Sequence, residues 1–498
     1  MRWFRAALVA TLVVAACAHA PQTTVTAAPA SFVSQTAIRV EPDSIVVARL
    51  IDEGMRRSHA AADLEYLSDV IGPRLAGSPE MVRANQWTQQ KFHDYGMDST
   101  SLEGFAFGVP WIRGPATARM LAPQRRELIA VSWAWAPSTN GPLSGDVVLV
   151  DSRTQADFDR RFAGKLRDKW VMIGPAYALA NPDGPHSAAD SIRVDSLRRS
   201  AAAHTDEERK FMPSRAALLA NEQIAGVIRD GAKEFGLLTM SGSPSAISLY
   251  PQVVISNENY AQFERLLRGG EQVRFQADVK NTFGPRPVQQ YNTVGEIRGS
   301  EKPDEIVLVG AHLDSWDLAT GATDNGAGAV AVLEAARILA SAGERPKRTI
   351  RFVLFGAEEE GLFGSQAYAA AHRSELDSYQ AVLVLDNGSG RITGMELQNR
   401  NDLHDMWATM MQPLASLGSL YARPGVKTGT DHLSFLPYGV PAFNYDQLSR
   451  GYEHTHHSQV DDFDHVVPSD VAQAATVMAV NAWQLAELPA LLPRGPKT

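Results

Sequence analysis

The sequence predicts an α/β protein in which a mostly parallel or mixed sheet is flanked by helices and carries a small β-rich insert. Three observations indicate this fold. From about residue 288 to 490, strand and helix patterns alternate, as in parallel strands joined by helical crossovers. The strand segments there are almost continuously apolar, which is typical of strands buried on both faces. Between about 110 and 285 the pattern changes to short apolar strands separated by turns.

Size and composition describe a soluble globular protein. The 498 residues are enough for two or three domains, and 44% of them are hydrophobic and 21% charged. The formal net charge is −9, and Lys and Arg form no dense stripe, so no nucleic-acid partner is expected. No apolar stretch of about 18 residues follows the N-terminal region, so no membrane-spanning helix is expected in the body of the chain.

Residues 1–16 are similar to a lipoprotein signal peptide. Arg2 and Arg5 precede an uncharged run that is too short to span a bilayer, and VAAC ends at Cys17, the single cysteine of the chain. In a bacterial lipobox of this kind the cysteine is lipidated and becomes the first mature residue. Cleavage after Ala20 is the alternative, although Pro21 disfavours it. The sequence therefore predicts export and a lipid anchor on Cys17 in the bacterial cell envelope, at the outer membrane or periplasm; a secreted soluble protein is the alternative.

Four further segments follow the signal peptide. Residues 17–40, almost uncharged and rich in Ala, Thr, Pro and Ser, are predicted to be a flexible tether. Residues 41–109 hold helix patterns on either side of the loop GPRLAGSPE and are predicted to be the N-terminal part of the main domain. Residues 110–285 are predicted to form the β-rich insert, and residues 286–490 the rest of the main domain, which carries the candidate site residues described below. A single cysteine allows no intramolecular disulfide.

Regular elements in 286–490 are predicted from apolar periodicity. The strands are 305–311, 349–357, 381–386 and 440–446, and the helices lie near 326–342, 363–372, 402–417 and 469–488.

Metal-ligand residue types stand where these strands end. The first strand ends at His312, the second at Glu358 and Glu359, and the third at Asp386, while Asp324 lies in a glycine-rich turn that enters a helix. In open α/β sheets, ligands bind at the carboxyl ends of the strands. Carboxylates packed together repel one another and raise each other's pKa, and divalent cations remove that cost. Mixed His, Asp and Glu ligation without cysteine is typical of zinc in a hydrolytic site.

A histidine cluster, EHTHH at 453–457, follows the fourth strand and supplies further ligand candidates. With at least four carboxylates and two imidazoles, two cations fit better than one, and paired metals can share a carboxylate and a water molecule. A glutamate outside the ligand set could then act as general base.

Five motifs resemble one known family in order and spacing: HLDSW, GATDNGAG, FGAEEEGLFGSQAY, LVLDNGSG and THHSQVDDFDHV. The chain is similar there to the di-zinc exopeptidase family of bacterial aminopeptidases, plasma glutamate carboxypeptidase and glutaminyl cyclase. The match spans about 288–490, and the helices at 51–96 resemble the family's N-terminal part. The insert resembles the protease-associated domain that some members carry. The resemblance implies the zinc exopeptidase fold.

The resemblance also implies residue roles. The ligands would be His312 and Asp386 for one zinc, Glu359 and His457 for the other, and Asp324 as the bridge between them. Glu358 would be the catalytic general base that takes a proton from the bridging water. Asp314 would orient the His312 imidazole from behind, and Asp461 could do the same for His457.

Some assignments stay open on the sequence alone. His457 lies four residues before Asp461, which is the family's spacing, and is therefore preferred to the other histidines of the cluster. Some relatives carry a tyrosine directly before this ligand, to stabilise the oxyanion; here that residue is His456, which leaves its role in the substrate pocket open. Asp431 and His432, in the segment GTDHLSF, resemble pocket residues, and holding a loop is an equal alternative for them.

The resemblance implies a zinc-dependent aminopeptidase or dipeptidase that hydrolyses short peptides with a hydroxide held between two zinc ions. A carboxypeptidase and a glutaminyl cyclase are the alternatives within the family. A non-catalytic receptor on this fold is a third, but such a receptor is expected to lose ligands that are all present here. The expected partners are short peptides and, through the lipid alone, a membrane; a homodimer stays open.

Overall fold

Two eight-stranded sheets organise the part of the chain that the computed structural model describes, residues 44–179, 205–418 and 420–497. These residues all belong to one unit, Arg39–Thr498. The expected signal peptide at 1–16, Cys17 and the whole tether at 17–40 lie outside the described residues and stay predictions. No described helix is long and apolar enough to cross a membrane.

The elements of the described ranges are numbered in chain order. The helices are α1 Ser44–Arg56, α2 Ala60–Glu65, α3 Pro79–Asp94, α4 Gln155–Arg161, α5 Asp206–Asn221, α6 Asn257–Arg268, α7 Ala327–Ala340, α8 Phe363–Ala371, α9 His404–Met411, α10 Tyr452–Thr455 and α11 Pro468–Glu487. The strands are β1 Ser99–Gly108, β2 Trp111–Ile112, β3 Ala116–Ala122, β4 Arg126–Leu128, β5 Ala130–Ser132, β6 Leu143–Val150, β7 Trp170–Ile173, β8 Gly226–Asp230, β9 Gln252–Ile255, β10 Arg274–Val279, β11 Thr282–Phe283, β12 Val288–Ile297, β13 Lys302–His312, β14 Arg348–Phe355, β15 Tyr379–Val384, β16 Ile392–Glu396, β17 Tyr421–Arg423 and β18 Ala442–Gln447.

The first sheet has the order β1-β12-β14-β13-β15-β18-β16-β17. Its four central strands, β14, β13, β15 and β18, are parallel. Antiparallel pairings join β12 to β14 on one side and β16 to β18 on the other. The α/β fold with a mixed sheet and flanking helices is therefore confirmed. Because the central strands are parallel neighbours, their carboxyl ends lie along one edge.

Helices α1, α7 and α11 pack together on this sheet. Almost every residue of α11 is buried, as its run of Ala and Val residues requires. Gly54 in α1 allows the helices to approach closely, since a Cβ there would lie 2.1 Å from Thr476 Oγ1. In α3, Ser78 caps the first turn by accepting a hydrogen bond from the Met81 N–H, and Pro79 occupies the first helical position.

The second sheet draws all its strands from residues 116–279, in the order β4-β3-β10-β6-β7-β8-β9-β5. Strands β6 to β9 are parallel neighbours, and the other pairings are antiparallel. A short ribbon, β2 with β11, lies where this region leaves and rejoins the main domain. Its assignment as a protease-associated domain stays a prediction.

The insert packs against the carboxyl edge of the first sheet. A shared apolar cluster joins its residues Trp135, Leu238 and Met240 to Trp316 and Ala357, which follow β13 and β14. Arg113 in the insert donates two hydrogen bonds, of 2.9 and 2.7 Å, to the Asp317 carboxylate. Apolar and charged contacts thus fix the insert beside the edge that carries the predicted ligands.

Candidate metal centre

Three neighbouring strand ends bring the first set of ligand candidates together. Strand β13 ends at His312. Asp386 follows β15, the strand next to β13 in the sheet. His312 Nε2 lies 3.3 Å from Asp386 Oδ1 and 3.3 Å from Asp324 Oδ1, and the imidazole is buried. Glu358 follows β14 and belongs to the same group, because ligand atoms of His312, Glu358 and Asp386 lie within 4.8 Å of one another.

A second set of contacts continues from Asp324. His457 Nε2 lies 2.9 Å from Glu359 Oε2 and 3.4 Å from Asp324 Oδ2. The two oxygens of Asp324 therefore face different imidazoles, His312 on one side and His457 on the other. The fold thus brings all five predicted ligands and the predicted base into one cluster, with Asp324 at its middle.

Burial and mutual repulsion dominate the electrostatics of this cluster. Burial raises the pKa of Glu358 well above its usual range, and Asp386 adds to the rise. Burial does the same to the pKa of Glu359, with Asp324 as the main charged contributor. For His312, burial lowers the pKa, but Asp386 and its other carboxylate neighbours outweigh that effect and hold the pKa well above its usual value. Carboxylates in such a buried cluster ionise together only when cations compensate them.

Two buried oxygen atoms of the cluster, Asp324 Oδ2 and Glu359 Oε1, accept no hydrogen bond. A buried carboxylate oxygen without a donor is costly, and a metal ion is the partner that this geometry leaves room for. The donor set consists of imidazoles and carboxylates, which suits a hydrolytic metal site. The residues therefore fit divalent cations on both sides of Asp324.

Asp314 lies behind His312 as expected, with its Oδ1 3.7 Å from His312 Nδ1, but it has further partners, and Asp461 has partners other than the expected one. The Asp314 carboxylate accepts the Glu358 and Glu359 N–H groups at 3.1 and 3.2 Å, and it is the Asp314 carbonyl oxygen that lies 3.0 Å from His312 Nδ1. The Asp461 carboxylate accepts the N–H groups of Thr323, at 2.6 Å, and Asp324, at 3.1 Å. Both carboxylates thus hold the ligand-bearing backbone, because consecutive amides offer each of them two donors at once.

The imidazole of His457 is held by the insert, where Asp461 was expected. Its Nδ1 lies 3.0 Å from the Met240 carbonyl oxygen. Sequence patterns could not reveal this contact, because it is made by a backbone carbonyl from a segment far away in the chain.

Arg74 is a buried residue of the site that the sequence patterns did not identify. It lies in the loop GPRLAGSPE, and its guanidinium donates to the carbonyls of Leu313 at 2.7 Å, Thr320 at 2.8 Å and Gly321 at 2.7 Å. Burial lowers its pKa to about 10, and the charge of Asp461 partly opposes this. The side chain thereby fixes the loop between β13 and Asp324. Its position between the apolar residues Pro73 and Leu75 was the only signal in the sequence.

His456 is placed less favourably than His457 as a ligand. Its Nε2 lies 3.8 Å from Asp324 Oδ2, and 45% of the side chain is exposed, against 21% for His457. The two rings stack with centroids 3.7 Å apart. The geometry favours His457 as the ligand and leaves His456 on the wall of the site.

A cavity of about 500 Å³ opens onto the cluster. Besides the six cluster residues, its lining consists of Gly361, Leu362, Asn387, Thr428, Gly429, Tyr452 and His456. Tyr452 was not identified from the sequence; its ring meets His456 edge-on with centroids 5.0 Å apart. A second cavity of about 330 Å³ shares Asn387, Tyr452 and His456 with the first.

Asp431 and His432 lie behind the cavity wall. Both are buried, and the lining of the larger cavity takes Thr428 and Gly429 from their segment instead. Burial raises the pKa of Asp431 to about 7 and lowers the pKa of His432 to about 4. His432 contacts the Gln398 amide and lies 3.3 Å from the Lys427 carbonyl oxygen, so it holds a loop.

Known proteins are similar to this chain in sequence and in fold. Residues 292–482 match the model of peptidase family M28. Carboxypeptidase Q of Homo sapiens is 29% identical over 449 residues, which cover 89% of this chain and 88% of that protein. Carboxypeptidase Q of Rattus norvegicus is 28% identical, with the same coverage.

Among solved structures, a peptidase M28 precursor from Shewanella amazonensis superposes with a TM-score of 0.75 at 29% identity and covers 91% of this chain and 99% of its own. An aminopeptidase from Aneurinibacillus sp. strain AM-1 shares the fold, with a TM-score of 0.61 at 20% identity and coverage of 89% and 97%. At such coverage, both matches include the insert as well as the main sheet.

Proposed function

Because this chain belongs to peptidase family M28 through its residues 292–482, we propose that it is a zinc-dependent exopeptidase acting on short peptides, as an aminopeptidase or a dipeptidase. One observation carries the proposal: His312, Asp324, Glu358, Glu359, Asp386 and His457 meet at the carboxyl edge of the sheet and line one cavity.

Two zinc ions per chain match the donor set. His312 and Asp386 would hold one ion, Glu359 and His457 the other, and Asp324 both. This arrangement is supported by the two Asp324 oxygens, which face separate imidazoles at 3.3 and 3.4 Å. When bound, paired zinc ions would polarise the scissile carbonyl and lower the pKa of a shared water molecule.

Glu358 would move the proton in this reaction. It accepts the proton that the attacking water loses and passes it to the nitrogen of the leaving amine. Its burial supports this role, because a carboxylate whose pKa is raised can hold a proton between the two transfers. Asp314 keeps Glu358 in place through the backbone N–H that it accepts.

The size of the cavity and the position of the insert support short substrates. A cavity of about 500 Å³ accommodates a few residues, and the insert packs against the same edge of the sheet through the shared apolar cluster. We expect dipeptides and tripeptides to be cleaved and long folded proteins to resist. Efficient digestion of a folded protein would contradict this part of the proposal.

A carboxypeptidase is the second candidate, since the relatives named carboxypeptidase Q align over 89% of this chain, insert included. A panel of dipeptides, aminoacyl amides and N-acetylated dipeptides separates the activities. An aminopeptidase cleaves the amides, a carboxypeptidase cleaves the N-acetylated dipeptides, and a dipeptidase requires both free ends. Conversion of N-terminal glutamine to pyroglutamate without hydrolysis would identify a glutaminyl cyclase, and turnover of none of these compounds would contradict the proposed function.

We also propose that the protein is exported and anchored through lipid on Cys17, on the strength of the signal-like residues 1–16. Acyl chains attach a protein by burying methylenes, at about 0.8 kcal/mol each. Cys17→Ser should abolish labelling with a radioactive fatty acid and leave peptidase activity unchanged. A wild-type protein that fractionates as soluble and starts at Pro21 would instead be a freely secreted enzyme.

A further inference from the structure

The insert reaches the metal centre through its irregular segment 231–242. This segment contacts the ligand loop, residues 453–461, which carries His457. The Gln459 side chain accepts the Leu238 N–H at 2.8 Å and donates to the Gly236 carbonyl at 3.1 Å. Lys233 Nζ donates to the Glu453 carbonyl at 2.6 Å, at the other end of the ligand loop. The two segments are therefore joined at several points along their length.

One of these points is the ligand itself. The Met240 carbonyl oxygen lies 3.0 Å from His457 Nδ1, and since a carbonyl only accepts, Nδ1 carries the proton. The lone pair of His457 is thereby left on Nε2, the atom that lies 2.9 Å from Glu359 and 3.4 Å from Asp324. A bond of this kind to the far nitrogen of a ligand imidazole sets its tautomer and its orientation.

The backbone of His457 depends on outside support. Its φ is +57°, in the left-handed region that side chains other than glycine rarely adopt. Such a conformation is strained and persists only where the surroundings define it. The main domain holds one side of the ligand loop, through the 2.8 Å bond between Thr455 and Thr323 and through Asp461, which accepts the N–H groups of Thr323 and Asp324. On the other side the contacts come from the insert.

Segment 231–242 is itself fixed within the insert. The Gly231 N–H donates to the Ile255 carbonyl at 2.7 Å, and the Gly236 N–H donates to the Glu258 carboxylate at 3.1 Å. Leu238 and Met240 are buried in the apolar cluster that the insert shares with the main domain. The segment therefore offers the ligand loop a rigid surface.

We propose that Gln459 is a positioning residue for the metal centre, which ties the insert to the ligand loop so that Met240 holds His457 with Nε2 toward Glu359. None of the described residues of the insert is among the candidate ligands, yet the insert sets the affinity of one zinc site, the one formed by Glu359 and His457. The site formed by His312 and Asp386 lies on strand ends and is independent of Gln459. This inference rests on the proposed function and assigns the insert a role beyond limiting access.

The chemistry of Gln459 supplies graded variants. An amide accepts and donates at the same time, which the paired Leu238 N–H and Gly236 carbonyl require. Gln459→Ala removes both bonds. Gln459→Glu keeps an acceptor for the Leu238 N–H, but it replaces the donor to the Gly236 carbonyl by a second oxygen, which can only accept. Gln276→Ala is the matched control, because Gln276 donates to Ser144 at 2.7 Å within the insert's own sheet.

The test is an equilibrium zinc titration of the full-length, chelator-treated protein, followed by calorimetry, with thermal unfolding as a check on folding. We expect two sites in the wild type. In Gln459→Ala one site should weaken by roughly 10- to 100-fold, the usual effect of losing such outer contacts, while the other changes by less than about threefold. Gln459→Glu should weaken the same site, and Gln276→Ala neither. The weakened site should be the one that is absent in His457→Ala.

Equal weakening of both sites, or unchanged affinities in Gln459→Ala and Gln459→Glu, would overturn the inference. If Gln459→Ala does not fold, the titration of Gln459→Glu decides. If the wild type binds two zinc ions and cleaves peptides, and the Gln459 variants bind zinc with unchanged affinity, this inference alone is overturned. A wild-type protein that binds no zinc would instead contradict the proposed function.

Discussion

At the scale of single residues, the neighbouring Glu358 and Glu359 face different groups, and the different roles proposed for them rest on this difference. The Asp314 carboxylate fixes both backbone N–H groups. Glu359 Oε2 lies 2.9 Å from His457 Nε2, while Glu358 groups with His312 and Asp386. Two adjacent residues of the same type therefore reach different parts of the cluster, as a ligand and a base require.

Glu358→Gln should keep the zinc and the fold while lowering kcat by roughly 10²–10⁴, the usual contribution of a general base. Glu359→Gln should lose zinc from the site that it shares with His457, because a neutral amide is a weak zinc ligand. Steady-state kinetics and metal analysis of both purified variants check the pair. An exchange of the two phenotypes would show that the roles are reversed.

Arg74 should be essential to the stability of the site, although it contacts no predicted ligand side chain. It is fully buried, and its guanidinium donates to backbone carbonyls on both sides of the site loop. Arg74→Met would remove the guanidinium donors from these carbonyls. The Gly321 carbonyl keeps the Gly326 N–H at 3.0 Å, and each buried group left unsatisfied costs about 1–3 kcal/mol. We expect the free energy of unfolding to fall by about 3 kcal/mol or more, measured with urea on metal-free protein.

The control for this prediction is Arg83→Met, since Arg83 makes one exposed bond of 3.3 Å to the Val70 carbonyl. That change should stay within about 0.5 kcal/mol of the wild type. If Arg74→Met is as stable as Arg83→Met, the loop does not depend on the buried guanidinium.

The sequence predicts the position of a site residue well where a residue type that binds metals stands at the end of an apolar strand. His312, Glu359 and Asp386 follow apolar strands, and parallel neighbours bring their side chains to one edge. The partners of Asp461 were predicted wrongly, because a spacing of four residues carries no information on which donors surround a carboxylate. Arg74 was missed because an arginine in a polar loop is usually solvent-exposed.

At the scale of elements, His372 joins the end of α8 to the edge strand β1. Its Nε2 lies 2.9 Å from the Glu103 carboxylate, and its Nδ1 lies 3.3 Å from Glu375. The bond to Glu103 raises the pKa of His372, while burial and the nearby Arg351 oppose the rise. The protonated imidazole therefore stabilises the contact between the helix and the strand.

The pH dependence of this contact follows from the raised pKa. The stabilisation is fully present below the unfolded pKa of about 6.5 and is lost as the pH rises through the folded pKa. We expect His372→Gln to lower the free energy of unfolding by about 0.5–1 kcal/mol at about pH 5.5 and by less at about pH 9. Urea unfolding of both proteins at the two pH values measures the difference.

His404→Gln is the matched control, because His404 lies on the exposed end of α9 beside Asp405, 3.0 Å away. Its effect should be small at both pH values. A His372→Gln effect that is equal at both pH values, or larger at high pH, would contradict the assigned charge of His372.

Elements of the main domain could be predicted more fully than those of the insert. The strand predicted at 305–311 lies within β13, and the helix predicted near 469–488 agrees with α11, because both are long and strongly patterned. In the insert, β5 and β9 pair although they are distant in sequence. Short strands with such long-range pairing carry little local signal.

At the scale of the whole molecule, the main domain supplies the candidate ligands and the insert contacts one of them, His457. The contact between Met240 and His457 joins residues more than two hundred positions apart, and the match to the Shewanella amazonensis structure includes both parts. Such a long-range backbone contact has no sequence signature. That the six candidate residues lie together could be predicted, whereas the support of His457 by the insert required the structure.

The central claim is that this chain is a two-zinc peptidase, and zinc titration of chelator-treated protein, with dipeptide hydrolysis followed in the same samples, tests it most directly. We expect no hydrolysis without metal, two zinc ions bound per chain, and recovery of activity as they bind. Asp324→Ala should reduce zinc binding more than any other single ligand change, because its two oxygens face both imidazoles. Hydrolysis at the wild-type rate in rigorously metal-free protein, or a protein that binds no zinc, would contradict the claim.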